Sequence, residues 1–305
     1  MLFQMVDEPF VSIITLNYDQ AEVTREFLES GKKLDYRNYE ILVCDMGSAV
    51  SPDTVLNVAD YPNTRLLYAG RNLGFAGGNN WGMHQSGAGF IFLVNNDAVL
   101  TADLIRLLLE PFFRDPSIGV VCPKIKYFSN PHIIQYAGFR PMNMFTGRTA
   151  TIGDLQQDDG RYDVSGPTAS AHGSAMMIKR EVIEKTGMFP VKFFLYYEEW
   201  DWSERIRKAG YKIWYQSAAT IYHKDSRTVG ERNQLKVYYH TRNRILFMRR
   251  NCNPLQLAVF TLFFTFFSMP KAIIGYLVRG RFSMLIAFLK GVGYNLTHNS
   301  RSETV

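Results

Sequence analysis

Cysteine is too scarce in this chain to staple anything together. Cys44, Cys122 and Cys252 lie far apart in 305 residues, which excludes a disulfide framework and a zinc-ligand pattern. The start, "MLFQMVDEPFVSII", lacks a basic leader followed by a long apolar core. No signal peptide is therefore expected, and a cytoplasmic protein is the default. The sequon "NLT" at Asn295 then reads as accidental. Standard nucleotide signatures are missing from the Gly-rich stretch of residues 71–82, which is not a GxGxxG fingerprint and is followed by no Walker lysine. Acidic residues are outnumbered, leaving a net charge of +6. That suits an anionic partner without choosing among nucleic acid, phosphorylated small molecules and an anionic membrane.

What is present is core material: 47% hydrophobic residues against 20% charged. The length points to one large domain with an appendage, or to two domains. In the first half, strand-like runs alternate with helix-like ones. "FVSIITLNY", "YEILVCD", "TRLLYAG", "FIFLV" and "IGVVCPKIKYF" read as strands. "QAEVTREFLESGKKL" and "TADLIRLLLEPFF" read as helices, the latter opened by Thr101. Near-continuous apolar strands alternating with helices predict an α/β fold with a mostly parallel sheet covered on both faces. Residues 130–170 read as irregular loops able to cover a site. "GSAMMIKR" resumes the pattern as a strand, "EVIEKTG" and "EEWDWSERIRKAG" as helices, and "YKIWYQ" and "TIYH" as further strands.

Ligands of such sheets bind beyond the carboxyl ends of the strands, so polar punctuation there marks candidate chemistry. The strand "FIFLV" ends abruptly in Asn95, Asn96 and Asp97. That is either an Asx-turn or a loop of oxygen ligands for a hard divalent cation such as magnesium or manganese. "RNLGFAGGNNWG" lets Gly74, Gly77 and Gly78 bring backbone close to a ligand, with Asn79 or Asn80 capping the next helix. "YYEEWDWSER" crowds Glu198, Glu199 and Asp201 beside Trp200 and Trp202. Repulsion and aromatic surroundings there would raise at least one carboxyl pKa toward that of a general base. His172 and His223 stand alone, and a lone histidine is usually structural.

Taken together, "VSIITLNY", "ILVCDMGS", "NLGFAGGNNWG", "FLVNNDAVL", "GSAMMIKREVIEKTGMF", "FFLYYEEWDWSERIRKAGYKIWY" and "IYHKDS" resemble the family 2 inverting glycosyltransferases of GT-A (Rossmann-like) fold, in their rhamnosyltransferase-like branch. The resemblance covers roughly residues 9–228 and implies a GT-A domain over 1–228 with a C-terminal helical, apolar extension over 229–305. It implies metal binding by Asp97 and His223 with Asn95 as the weaker ligand, an amide standing where the family's first acid falls. Thr15, Asn17, Asp45, Arg71, Asn72, Gly74 and Asn96 are implied on the donor-nucleotide side, with Asp45 as the acid that reads the base. Glu199 falls at the catalytic-base position, where aspartate is commoner, so Glu198 and Asp201 stay open as bases. The implied reaction moves a sugar from a nucleoside-diphosphate sugar, first of all dTDP-rhamnose, to a glycan or polyprenyl-linked acceptor, with Mg2+ or Mn2+ as cofactor and no nucleic acid as partner. A sugar nucleotidyltransferase is disfavoured, since "NYDQAEVTREFLES" carries no Gly-rich Arg/Lys signature after the first strand. A decayed nucleotide-binding or membrane-scaffold protein is disfavoured by retention of Asp97, His223 and the acidic cluster.

Beyond residue 230 the chain turns basic and strongly apolar. The run before Pro270 is shorter than the roughly 20 residues that span a bilayer. A hairpin or interfacial helix on the inner face of the cell membrane is expected, with Arg249, Arg250, Arg279, Arg281 and Lys290 near anionic headgroups. Packing on the main domain, a homodimer contact and a true span are the alternatives.

Overall fold

The computed structural model describes residues 8–224 and 234–302. Its strands are β1 (Val11–Asn17), β2 (Tyr39–Asp45), β3 (Thr64–Tyr68), β4 (Phe90–Val94), β5 (Ala98–Leu100), β6 (Ile118–Tyr127), β7 (Ile133–Tyr136), β8 (Gln156–Gln157), β9 (Gly166–Pro167), β10 (Ala175–Lys179) and β11 (Lys212–His223). Its helices are α1 (Ala21–Gly31), α2 (Gly74–Gln85), α3 (Leu104–Arg114), α4 (Arg180–Thr186), α5 (Glu198–Lys208), α6 (Gln234–Asn251), α7 (Pro254–Phe263), α8 (Met269–Val278) and α9 (Phe282–Thr297). The main sheet runs β3-β2-β1-β4-β10-β6-β11-β5. Six of these eight strands point one way; β10, between β4 and β6, and β5, at the edge of β11, point the other. This is the α/β architecture with flanking helices that the alternating pattern predicts.

Three local expectations fail for identifiable reasons. The Gly-rich stretch is mostly helix: α2 begins at Gly74, where the backbone N–H donates to Asn72 Oδ1 at 2.8 Å. Asn79 and Asn80 lie inside that helix and cap nothing. Its glycines serve close packing, since a Cβ at Gly78 would sit 2.8 Å from Met46 Sδ and one at Gly82 only 2.6 Å from Ile14 Cγ2. Thr101 does not cap α3, which starts at Leu104; its hydroxyl donates to the Thr220 carbonyl at 3.0 Å. "YKIWYQ" and "TIYH" form one strand, β11, with an irregularity between Gln216 and Thr220.

The C-terminal region differs most from its reading. Pro270 does not break the apolar run. Residues 254–278 form one continuous helix of 25 residues through α7, a π-turn at Phe264–Ser268, and α8. The wider turn suits a proline, which has no N–H to donate and crowds the carbonyl four residues back. At about 1.5 Å per residue this helix is long enough to cross a bilayer. The 228/229 boundary lies outside the described residues. Across it the two regions share a second core, in which Phe193, Trp200 and Met142 pack with Leu246, Phe247, Met248, Phe260, Phe264 and Phe288. Three of the five basic residues expected at headgroups are engaged within the protein, Arg279 through the Gly275 carbonyl of its own helix. Arg249 donates to the Asn295 and His298 carbonyls, and Arg250 binds Asp201.

Candidate active site

Asp97 and His223 are remote in sequence, and strand pairing brings them together. The hairpin-like edge strand β5 follows Asp97 directly and runs antiparallel to β11, with Ala98 opposite His223. The Lys224 N–H donates to the Asp97 carbonyl at 3.0 Å, fixing the register one residue further on. Asp97 Oδ1 consequently lies 3.0 Å from His223 Nε2. Asn95 Nδ2 is 3.4 Å from the same ring nitrogen. On its other side the ring meets Gln135 Oε1 at 2.9 Å through Nδ1. Since an amide oxygen only accepts, Nδ1 carries the hydrogen, and a neutral His223 turns the Nε2 lone pair toward the carboxylate. Asp97 Oδ1 is buried and has no hydrogen-bond partner among the described residues.

A buried carboxylate oxygen and an imidazole nitrogen about 3 Å apart fit a small cation, which takes neighbouring ligands at that spacing. Among the described residues no third His, Cys, Asp or Glu completes the cluster. The protein's donor set is therefore one carboxylate and one imidazole with the Asn95 amide beside them, which leaves coordination positions for phosphate oxygens or water.

The acidic cluster divides. Glu198 and Glu199 line the same cavity of about 440 Å³ as Asp97 and His223. Glu198 is 3% exposed and its Oε2 is buried without a partner. Burial, reinforced by the charge of Glu199, pushes its carboxyl well above the usual range. Burial likewise pushes Glu199 up to about 7. Asp201, open as a base on sequence grounds, is instead an anchor outside the cavity lining. It accepts from Arg250 Nε and Asn251 Nδ2 at 2.9 Å each and stands 3.7 Å from Arg205 Nε. The indoles also serve packing. Trp202 Nε1 donates to the Gly187 carbonyl at 2.7 Å, and the Trp200 ring meets Phe139 at 5.1 Å.

On the donor side, Asn72, Gly74 and Asn96 line the cavity, while Thr15, Asn17, Asp45 and Arg71 do not. Asn96 Nδ2 donates to Thr24 Oγ1 (2.9 Å), whose hydroxyl donates to Asn17 Oδ1 (2.8 Å), whose amide donates to Asp45 Oδ1 (2.8 Å). Asp45 also accepts from the Ser48 hydroxyl and from the Gly47 and Ser48 N–H groups, so both its oxygens are engaged within its own loop. Thr15 Oγ1 is buried and unpartnered, and Arg71 is exposed. Gly74 is required where it stands: its φ is +70°, and a Cβ would lie 2.5 Å from the Phe194 ring.

Sequence reasoning passed over His172. Its ring stacks on Phe139 (5.6 Å, 5°) and lines the cavity. Nδ1 accepts the Ser174 N–H at 3.1 Å, so Nε2 carries the proton. Burial, with His223 nearby, lowers its pKa to about 3. His172 is thus a neutral donor in the cavity wall, a role that only its distant aromatic neighbours create.

Residues 12–187 match the glycosyl transferase family 2, and the chain belongs to that family. It is a glycosyltransferase of the rhamnosyltransferase-like branch. The chain is 24% identical over 258 residues to the N-acetylglucosaminyl-diphospho-decaprenol L-rhamnosyltransferase of Mycobacterium tuberculosis, covering 77% of this chain and 83% of that protein. It is 26% identical over 251 residues to the low-salt glycan biosynthesis hexosyltransferase Agl10 of Haloferax volcanii, covering 79% and 76%. In fold it is similar to the mannosyltransferase PcManGT from Pyrobaculum calidifontis in complex with GDP-Man and Mn2+, with a TM-score of 0.61, 17% identity, and coverage of 96% of this chain and 88% of that one.

Proposed function

We propose that this glycosyltransferase moves a sugar, with dTDP-L-rhamnose as the first donor to try, from a nucleoside-diphosphate sugar to a glycan or polyprenyl-linked acceptor by one displacement with inversion. The observation that carries this reading is the meeting of a desolvated carboxyl, Glu199, with the Asp97–His223 pair around one cavity. Similarity to a decaprenol-linked rhamnosyltransferase supports the donor and acceptor class.

Glu199 accepts the proton of the attacking acceptor hydroxyl. A carboxyl poised at about 7 is half ionised near neutral pH, where a general base works best. Asp97 and His223 would hold Mg2+ or Mn2+, with Asn95 beside them, and the cation would supply positive charge against that of the leaving diphosphate. Asn72, Gly74 and Asn96 face the donor. Thr15, Asn17 and Asp45 support that wall from behind, and Arg71 reaches the donor phosphates from outside. Glu199→Gln should lower transfer by about 10²–10⁴ while a nucleotide-sugar panel with Mn2+ still raises the melting temperature, because ligand binding shifts stability by mass action. Turnover within a few-fold of wild type would remove Glu199 from the role.

We infer further that the protein works at the inner face of the cell membrane as a peripheral enzyme, with a GT-A domain to about residue 228 and the helical region beyond as its membrane-facing part. An 18-residue window of the 254–278 helix has mean hydropathy 1.8 and is only 11% buried. One side packs on the second core through Leu257, Phe260, Phe264, Met269, Ala272, Ile273 and Tyr276, along nearly its whole length. The other exposes Val259, Leu262, Phe266, Phe267, Ile274 and Leu277. A helix held to the protein along one side, with the exposed Lys271 near its middle, suits the interface rather than a span. The full chain should float with anionic vesicles, and Leu262→Ser/Phe266→Ser/Phe267→Ser should stay at the bottom of the gradient. Loss of a dimer in the triple variant with flotation unchanged would assign the face to a second copy instead.

A further inference from the structure

The backbone that delivers Glu198 and Glu199 to the cavity is unusual. Phe194, Tyr196 and Tyr197 have φ of +63°, +69° and +73°. Bulky side chains rarely adopt that left-handed region, and three such residues within four positions persist only when their surroundings impose them. Tyr197 immediately precedes α5, so its backbone angles set the direction in which that helix, and both acids in its first turn, leave the loop.

What imposes this conformation comes from α6. The Asn243 amide donates to the carbonyls of Phe193 (3.0 Å), Leu195 (2.8 Å) and Tyr196 (2.8 Å). Arg242 Nη2 donates to those of Lys192 and Phe193, at 2.7 Å each. The two side chains are locked to each other, Arg242 Nε donating to Asn243 Oδ1 at 2.7 Å. Both are buried, at 3% and 0% exposure. The remaining carbonyl, Phe194, is taken from the opposite side by the Phe75 N–H at 2.8 Å, at the start of α2. Rings complete the grip: Phe194 stacks on Tyr239 (5.4 Å, 17°) and Tyr196 on His240 (4.2 Å, 23°). Every carbonyl from 192 to 196 is thereby bonded within the protein, and Phe194, Leu195 and Tyr196 line the cavity.

We infer that Asn243, with Arg242, is a positioning residue for the catalytic acids, so that α6 is a working part of the active site as well as the root of the helical region. The inference rests on the proposed role of Glu199. Asn243 suits this place because its NH2 group supplies two N–H donors shared among three converging carbonyls while its oxygen engages the guanidinium. Aspartate would face those carbonyls with acceptors alone, and alanine would take away the side-chain donor of the Leu195 and Tyr196 carbonyls.

The test measures transfer by the full chain with nucleotide sugar, Mn2+ and acceptor. Asn243→Ala should lower kcat by about 10²-fold, the cost of a misplaced reacting group, with KM for the donor nearly unchanged. Arg242→Lys keeps a cation near Glu198 and loses the fork, so its kcat should fall less, again at constant KM. Asn295→Ala is the control. Asn295 is buried and bonds the Arg242 and Gly291 carbonyls away from the loop, so its removal should lower the melting temperature and leave kcat within about two-fold of wild type. Loss of activity in Asn243→Ala and Asn295→Ala in proportion to lost stability, or an unchanged kcat in both Asn243→Ala and Arg242→Lys, would overturn the inference. Glu199→Gln separates the two readings. A variant that still turns over sinks the base assignment, whereas a dead Glu199→Gln beside a fully active Asn243→Ala sinks the positioning role alone.

Discussion

The two walls of the cavity treat their polar groups in opposite ways. Behind the ends of β1 and β2, Asn96, Thr24, Asn17 and Asp45 pass hydrogen bonds from one to the next, and Asp45 fills both oxygens within its own loop. At the end of β4 and the start of α5, Asp97 Oδ1 and Glu198 Oε2 are buried with no hydrogen-bond partner among the described residues. An unmet buried acceptor costs about 1–3 kcal/mol, more when charged. Apart from the unpartnered Thr15 hydroxyl, the first wall is therefore a preformed surface whose shape a ligand meets, and the second leaves acceptors open to ligand atoms. The same division runs through a single helix turn. Among the described residues no cation is bonded to Glu198 or Glu199, which face the cavity, whereas Asp201 is compensated by Arg250, Asn251 and Arg205.

Substitution on either side of that division breaks the comparison if it is wrong. Asp201→Ala removes the carboxylate partner of the half-buried Arg250, which keeps its bond to the Ser300 carbonyl, and should destabilise the fold by about 3 kcal/mol. Denaturant titration would read this, and transfer per folded molecule should stay within a few-fold of wild type. Asp97→Asn should do the converse, leaving the unfolding midpoint close to wild type while cutting transfer by about 10²–10³ and weakening Mn2+ binding by calorimetry. An Asp201→Ala enzyme that is stable but inactive, or an Asp97→Asn enzyme with undiminished Mn2+ affinity, would erase the distinction between the two kinds of acid.

Local patterns were legible where local forces decide. The runs "YEILVCD" and "FIFLV" are β2 and β4 residue for residue, because buried strands need continuous apolar side chains. The helix α2 was hidden because "GFAGGNN" has a loop's composition. The helical cost of its glycines is outweighed by contact with β1 and β2 that no larger residue permits. Asp97 stood out at a strand's polar end and His223 only through family resemblance; their 3.0 Å approach depends on β5 pairing with β11, a contact spanning more than 120 residues. Asp201 could not be told from its neighbours, since what distinguishes it, Arg250, comes from the far side of the helical region. Asn243 carried no signal, because an asparagine in a basic helix reads as surface until the carbonyls it gathers are seen.

A smaller effect sharpens the comparison from the energetic side. A carboxyl raised from 4.5 to about 7 holds its proton more tightly in the folded protein than in the unfolded chain. That proton contributes stability which is fully present below pH 4.5 and is lost as pH rises through 7, where the fold must carry a desolvated charge. Glutamine at position 199 carries no charge at any pH. Without metal or donor, Glu199→Gln should therefore match wild type near pH 4 and exceed it at pH 8 by up to about 3 kcal/mol, the full linkage of that shift. Glu198 cannot mask the gap. The charge of Glu199 is one reason its own carboxyl is raised, so neutralising position 199 relieves Glu198 in the same direction. Urea midpoints from pH 4 to 8 would show the two curves separating between about pH 4.5 and 7. Parallel curves throughout would mean that Glu199 is hydrated in the folded state, and the wall around it would then be no different from the one behind Asp45.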